Sequence, residues 1–364
     1  MGSARFVSQP TATYLAAIGC ASPDYLVSQE EGLEKIRGRY GPDLTERSHE
    51  LLEKFFTHPS VRRRRFAIRG PGELFEEDPD HRIERFTRRA TELSAKAARR
   101  AMEGAELAAE EVSALVVNTC TGYVCPGLSN YLIEELGLPA QVRAYDLVGA
   151  GCGGAVPNLE LAASLIDADP ERMVLSVSVE ICSATFQMDN DPSLLISNAL
   201  FADGAGAAVL RAGPPGLKVL ESRSLHEPRY REDIRYVYRD GELHNQLSPT
   251  LPVKSARVVG RLVGDFLGER GLAASDIPHW ALHPGGEKII GRLEDQLGLT
   301  DRQVAPAREV LRDYGNLSSA SVWFVLRRIL REGIEPGDLC LMLAFGAGLS
   351  AHLMLLRAGD LPVP

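Results

Sequence analysis

The sequence predicts an α/β protein, and three observations carry that reading. Short apolar runs rich in valine, leucine and isoleucine alternate with amphipathic stretches of helical period. The runs are hydrophobic almost throughout, as strands buried on both faces require. In both halves of the 364-residue chain a hydrophobic strand runs into a small-residue turn and then a helix, which hints at duplication.

Residues 11–20 read as an opening strand, and 28–58 as a charged helical stretch. The basic run Arg62-Arg63-Arg64-Arg65 follows, then a long alanine-rich amphipathic pattern over 82–110. Val112 to Val117 reads as a buried strand ending at Asn118-Thr119-Cys120-Thr121-Gly122, and 128–136 as a helix. Val142 to Val148 fits a short strand. A helical pattern follows through Leu159, Leu161, Ala162, Leu165 and Ile166. Met173 to Val179 and Ala205 to Leu210 are further strands. At Gly213-Pro214-Pro215-Gly216 the pattern breaks and restarts. A strand fits 217–223, and a polar, aromatic stretch runs to about residue 250. Helices fit 253–269, 286–297 and 318–331, with strands at 279–282 and at Leu339 to Phe345. This length suits two domains or two fused halves, divided here as 1–215 and 216–364.

Composition narrows the function. A net charge of -9 disfavours general nucleic-acid binding. No uninterrupted apolar stretch approaches the roughly 20 residues of a membrane span, and no basic region followed by an apolar run marks a signal peptide. Six cysteines in so long a chain do not form a disulfide scaffold, so a reducing cytoplasm fits best. Cys120 and Cys125 have no matching Cys/His pair nearby for zinc, and no EF-hand, Walker or GxGxxG motif is present. Metal and resident cofactor are therefore not expected.

Cys152 is the most informative residue. It lies in Leu147-Val148-Gly149-Ala150-Gly151-Cys152-Gly153-Gly154-Ala155-Val156-Pro157, between a strand end and a helix start. The amides and partial positive charge of a helix N-terminus favour thiolate over thiol. Small neighbours let a bulky substrate approach. Both are needed by a nucleophilic cysteine, although a buried structural cysteine in a glycine-rich helix entry has the same local sequence.

Two C-terminal segments are built to supply partners. In Trp280-Ala281-Leu282-His283-Pro284-Gly285-Gly286 a histidine at a strand end is held in a tight turn. In Tyr314-Gly315-Asn316-Leu317-Ser318-Ser319-Ala320-Ser321 an asparagine stands before an apolar helix. Read singly, each fits a turn or capping residue. Together with Cys152 they fit acyl transfer. Imidazole stabilises a thiolate and donates to a developing oxyanion, and an amide NH2 donates to the same oxygen without titrating. Nothing compels an Asp or Glu as general base, which suits condensation driven by decarboxylation.

The ordered set of motifs resembles the type III polyketide synthases, the chalcone synthase superfamily of the thiolase fold. Gly151-Cys152-Gly153-Gly154-Ala155 resembles the family's nucleophile segment. His283-Pro284-Gly285-Gly286 and Gly315-Asn316-Leu317-Ser318-Ser319 resemble its histidine and asparagine segments. Leu200-Phe201-Ala202-Asp203-Gly204-Ala205 resembles the segment of the gatekeeper phenylalanine. Ala344-Phe345-Gly346-Ala347-Gly348-Leu349-Ser350 resembles the C-terminal loop, with Ala347 where proline is usual.

The resemblance implies duplicated α/β halves in an αβαβα arrangement and a homodimer. It implies acyl-CoA and malonyl-CoA as substrates, with no permanently bound cofactor. Cys152 would carry the acyl chain. His283 and Asn316 would polarise the malonyl thioester, and Phe201 would separate the CoA tunnel from the cavity. Product release would give a pyrone, resorcinol or related polyketide. Lys54, Arg62, Arg63, Arg64, Arg65 and Lys254 are the implied contacts for CoA phosphates. Cys120, Thr121, Cys182, Thr185, Gly241, Thr250 and Ser318 match cavity positions. Cys125 falls where a methionine reaches across the family's dimer interface. Thr250 stands where plant chalcone synthases carry phenylalanine, and Cys120 and Cys182 replace threonines. A starter other than coumaroyl-CoA is expected, such as a fatty or β-ketoacyl chain. Two alternatives share the pattern. One is a stand-alone ketosynthase condensing β-ketoacyl chains delivered on an acyl carrier protein or CoA. The other is an inactive thiolase-fold partner protein, which the intact Cys152, His283 and Asn316 argue against.

Overall fold

Thirteen strands and eleven α-helices make up the computed structural model, which describes residues 12–76, 78–239 and 241–359. The strands are β1 (Thr13–Ala21), β2 (Tyr25–Ser28), β3 (Arg63–Phe66), β4 (Ala114–Asn118), β5 (Arg143–Leu147), β6 (Val174–Glu180), β7 (Gly204–Ala212), β8 (Leu217–His226), β9 (Ile234–Arg239), β10 (Glu242–Leu247), β11 (His279–Leu282), β12 (Leu339–Gly346) and β13 (Ser350–Ala358). The helices are α1 (Gln29–Tyr40), α2 (Glu46–Phe56), α3 (Pro71–Leu74), α4 (Pro79–Gly104), α5 (Leu128–Leu136), α6 (Ala155–Ala168), α7 (Pro192–Leu200), α8 (Leu251–Gly268), α9 (Glu287–Leu297), α10 (Asp301–Tyr314) and α11 (Ser321–Glu332).

Nine strands form one sheet in the order β11-β12-β13-β8-β1-β7-β6-β4-β5. Among the described residues its two halves join only where Tyr14 and Leu15 of β1 face Lys218 and Leu217 of β8. Side-chain alternation assigns the faces. Leu115 and Val117 of β4 point into a core shared with α4. Ala114 and Val116 point into the core that holds α6 and α11. Helix α6 touches β4, β6, β12 and β13, and α11 touches β1, β7, β11 and β12, so both lie between the two half-sheets. Helix α8 packs on β8 and β13, with α9 against it. The result is the αβαβα layering expected of a thiolase-like fold.

Local chemistry explains most boundaries. Asp78 caps α4 and Pro79 occupies its first turn. Thr300 and Gln303 form a capping box at α10. The stretch read as one helix over 28–58 is two helices, because Gly41-Pro42-Asp43 forms a short 3-10 turn between them. The polar tract before residue 250 is a β9–β10 hairpin, and the arginine run enters β3, paired with β2.

Candidate active site

Cys152 occupies a 3-10 turn, Gly151–Gly153, that leads into α6. It is buried, at 8% exposure. Gly151 takes φ +56, and a side chain there would stand 2.9 Å from the Ala347 nitrogen. Gly346, at the end of β12, fits even more closely. A methyl on it would stand 2.5 Å from the Gly153 nitrogen and 2.9 Å from that of Cys152, and closer still to the Ala150 carbonyl. The glycines thus let the C-terminal loop lie directly on the turn of Cys152.

The same loop reaches the histidine. His283 continues β11 and donates its backbone N–H to the Leu343 carbonyl at 2.8 Å. Its ring meets Phe345 edge-on, with centroids 5.1 Å apart. The ring is buried, and its Nδ1 has no hydrogen-bond partner among the described residues. Phe345 and Gly346 are consecutive, so one dipeptide abuts both the imidazole and the backbone of Cys152.

The asparagine turn arrives from a third direction. Asn316 donates its backbone N–H to the Leu200 carbonyl and accepts from the Ala202 N–H through its own, both at 2.9 Å. The pair Phe201 and Asn316 is therefore bridged in parallel. Asn316 Oδ1 accepts from the Ser318 N–H at 2.8 Å. That contact holds Ser318 at φ +50, an uncommon conformation for a non-glycine residue. The strained turn aims Ser318 Oγ at Cys152 Sγ, 3.2 Å away, and brings it within 3.3 Å of Cys120 Sγ.

Behind these groups lies Glu180, fully buried at the end of β6. It accepts from the Cys120 N–H at 3.0 Å, Thr121 Oγ1 at 2.9 Å and Ser319 Oγ at 2.5 Å. Asn118 in turn donates to Ser319 Oγ at 2.9 Å and accepts from Asn158 of α6 at 3.0 Å. A continuous buried network so links the asparagine turn to helix α6, which follows Cys152.

Electrostatics departs from the expectation of a ready thiolate. Burial pushes the Cys152 thiol up to about 12. The Ser318 hydrogen bond opposes this, and the nearby Glu180 charge adds to it. Burial also lowers His283 to about 3. Burial thus favours the neutral form of each group in the free protein and outweighs the pull of the helix terminus on the thiol.

The other expected residues divide. Cys182 is buried within electrostatic reach of Cys152, and Thr121 is bound to Glu180. Thr185 meets the Tyr236 hydroxyl at 3.4 Å. Thr121, Thr185 and Gly241 share the lining of a cleft of about 240 Å³, with Gly241 exposed at the hairpin turn. Cys125 is exposed. Thr250 is not a chamber wall. It is exposed at the start of α8, where its hydroxyl meets Ser248 at 2.8 Å and Asp233 at 3.3 Å. Arg64 is not available to a CoA phosphate. It is buried, and its guanidinium is committed to the carbonyls of Asn198 and Phe201. Lys54, Arg62 and Arg63 are exposed. Arg65 donates to the carbonyls of Pro23 and Asp24, and Lys254 pairs with Asp233 at 2.6 Å.

Residues 8–216 match the family described as FAE1/Type III polyketide synthase-like protein, and 228–359 match the chalcone and stilbene synthases, C-terminal domain. The chain belongs to the type III polyketide synthases. It is 30% identical to a 3,5-dihydroxyphenylacetyl-CoA synthase of Streptomyces toyocaensis, over 97% of this chain and 92% of that one. Two crystal structures superpose closely on this synthase. One is PKS-I from the brown alga Ectocarpus siliculosus, with TM-score 0.88 and 29% identity, covering 97% of this chain and all of that one. The other is 1,3,6,8-tetrahydroxynaphthalene synthase from Streptomyces coelicolor, with TM-score 0.88 and 28% identity, covering 96% and 100%. The synthase is an acyl-transferring enzyme that forms carbon–carbon bonds. Among its described residues no helix is long and apolar enough to cross a membrane.

Glu180 and Tyr236 escaped the sequence reading of the site. Glu180 carried a signal: a carboxylate closing the otherwise uncharged strand Val174–Glu180, every residue of which is buried, needs a dedicated set of donors.

Proposed function

We propose that this synthase loads an acyl-CoA starter on Cys152 and extends it with malonyl-CoA. The carrying observation is the meeting of the Asn316 turn and the His283-contacting loop on the turn of Cys152. The thiol gives up its proton, the sulfur attacks the thioester carbonyl, and CoA leaves as the thiol. Malonyl-CoA then enters, and its carbonyl accepts from the Asn316 amide and the His283 imidazole. Loss of CO2 leaves an enolate that these donors stabilise. The enolate carbon attacks the acyl-cysteine carbonyl and expels the Cys152 sulfur, which regains a proton. The absence of a hydrogen-bond partner for His283 Nδ1 among the described residues supports this role.

Phe201 serves as the gate between the CoA entrance and the chamber. Its backbone bridge to Asn316 supports this, since the gate and the amide share one frame. Lys54, Arg62 and Arg63 are the exposed cations that suit the CoA phosphates. The starter is a fatty or β-ketoacyl chain and the product a pyrone, resorcinol or related polyketide. Names such as 3,5-dihydroxyphenylacetyl-CoA synthase and alpha-pyrone synthesis polyketide synthase-like Pks18 among its relatives suit that range. The working form is a homodimer joined along β5. This last strand of the sheet pairs only with β4, and Arg143, Ala144 and Asp146 are exposed on it. The halves 1–215 and 216–364 act as two units of one duplicated fold, supported by the two-residue join between β1 and β8. Six free cysteines suit a reducing cytoplasm.

The test incubates the protein with malonyl-CoA and a panel of acyl-CoA and carrier-bound starters and identifies products by mass spectrometry. Cys152→Ala should abolish the acyl-enzyme, and His283→Ala should cripple decarboxylation. Unchanged malonyl turnover in both variants would refute these assignments.

A further inference from the structure

Arg64 is a cation in the core, at 3% exposure, with no carboxylate in ion-pair distance among the described residues, although the more distant Asp203 charge favours its charged form. A buried charge without a direct ion-pair partner is expensive unless its donors are met. Here backbone carbonyls and one side-chain amide oxygen accept from it. Nη1 donates to the Asn198 carbonyl at 2.6 Å and the Phe201 carbonyl at 2.9 Å. Nε donates to Gln29 Oε1 at 2.9 Å, and Gln29 passes the tie on by donating to the Ala199 carbonyl at 2.9 Å. Phe56 and Phe66 flank the guanidinium, at 5.3 and 5.1 Å from their ring centroids. The charge therefore caps the C-terminal end of α7, where carbonyls lack helical partners.

The stem makes the second contact. A side chain on Gly315 would stand 2.8 Å from Arg64 Cγ, so the methylenes press against the residue preceding Asn316. One side chain thus binds the backbone of the gate at its head and supports the Asn316 turn with its stem. Beside it lies a small void of about 40 Å³, lined in part by Arg64, Cys182, Phe186 and Phe201, which leaves the gate room to shift if unheld.

We infer that Arg64 is a positioning residue that locks the Phe201 gate to the Asn316 turn, fixing both the acyl chain admitted and the placement of the amide used in decarboxylation. The inference rests on the proposed roles of Phe201 and Asn316. Lysine keeps the charge and most of the volume but lacks the planar fork that reaches two carbonyls and Gln29 together.

The experiment compares wild type, Arg64→Lys, Phe201→Leu and the double variant. It measures Cys152 acylation by intact mass, malonyl-CoA decarboxylation, and preference between short and long acyl-CoA starters. Arg64→Lys should leave Cys152 acylation by a short starter within about twofold and lower decarboxylation at least tenfold. It should also shift chain-length preference at least fivefold, and that shift should vanish in the Phe201→Leu background. Equal loss of acylation and decarboxylation, in step with loss of folded protein, would mean that Arg64 is structural only and would overturn the inference. So would no change in any readout, or an equal preference shift in both backgrounds. If Phe201→Leu alone leaves preference unchanged, the gate reading fails. Arg64 then stands or falls on the decarboxylation rate alone.

Discussion

Ser318 Oγ lies 3.2 Å from Cys152 Sγ, held there by a backbone turn that a serine seldom adopts. Ser318 belongs to the segment that delivers Asn316, so the amide and the thiol are placed by one piece of chain. The same hydroxyl lies 3.4 Å from Glu180. It meets the nucleophile on one side and a buried carboxylate on the other.

Removing that hydroxyl should make the thiol less acidic. Ser318 is the main group opposing the effect of burial on Cys152. A net hydrogen bond of about 1 kcal/mol corresponds to about fivefold in the ionisation constant. Ser318→Ala should slow iodoacetamide labelling of Cys152 at pH 8 by about that factor, read by peptide mass spectrometry. Labelling at the wild-type rate would show that Ser318 does not tune the sulfur.

The pH profile of labelling tests the neutral pair directly. With the thiol pushed up to about 12 and His283 lowered to about 3, the free enzyme holds almost no thiolate near pH 7. Labelling of Cys152 should keep rising through about pH 10.5, where an ordinary thiol of about 8.5 has levelled off. His283→Ala should leave that profile unchanged. A plateau at pH 6–8 that disappears in His283→Ala would establish a pre-formed thiolate–imidazolium pair instead.

Much of this site was legible in the sequence, because Cys152 and His283 sit at strand-to-helix turns and Asn316 at a helix-to-helix turn, each marked by glycine. Turn chemistry is local, so it survives reading one residue at a time. The strand and helix alternation was legible for the same reason. What escaped was set by distant partners. The arginine run was read as a set of contacts for CoA phosphates, yet strand alternation in β3 turns Arg64 inward while Arg63 stays out. Thr250 matched a cavity position by alignment, but Ser248 and Asp233 hold it at the surface. Helix α10 was hidden by Pro306 in its interior. The thiolate expectation leaves out burial, because helix-end charge is read from sequence, whereas desolvation depends on everything packed around the sulfur.

Acid should destabilise the fold through two buried imidazoles. His352, on β13, is lowered to about 4 by burial and by His226, and His283 to about 3 by burial. Between pH 6.5 and about 4 the unfolded chain binds two protons that the native state refuses. Stability contributed above pH 6.5 is therefore lost as pH falls, by up to about 2.7 kcal/mol per pH unit. Glu180 and Asp203, raised by burial, take up protons earlier in the native state and soften the slope toward the acid end. Urea unfolding at pH 7, 6 and 5 should show the loss. His352→Gln should lessen the slope by up to about 1.4 kcal/mol per unit. An identical slope in the variant would place His352 outside this linkage.

Gly346→Ala should separate chemistry from folding. The added methyl meets only backbone, at Ala150, Cys152 and Gly153, and none of these is a flexible side chain that can swing away. Relief requires the end of β12 to move off the nucleophile turn, while the strand's pairing with β11 and β13 holds it in place. Overpacking of this kind costs about 1–3 kcal/mol, which a chain of this size can absorb and still fold. The displacement falls between Phe345, which contacts His283, and the turn of Cys152. An error of about 1 Å in such alignment costs about 100-fold in rate. The variant should therefore show a modest loss in urea midpoint and a loss of condensation near 100-fold, with the acyl-enzyme still detectable by intact mass. Condensation at the wild-type rate would mean that contact between the C-terminal loop and the nucleophile turn does not set the reacting geometry.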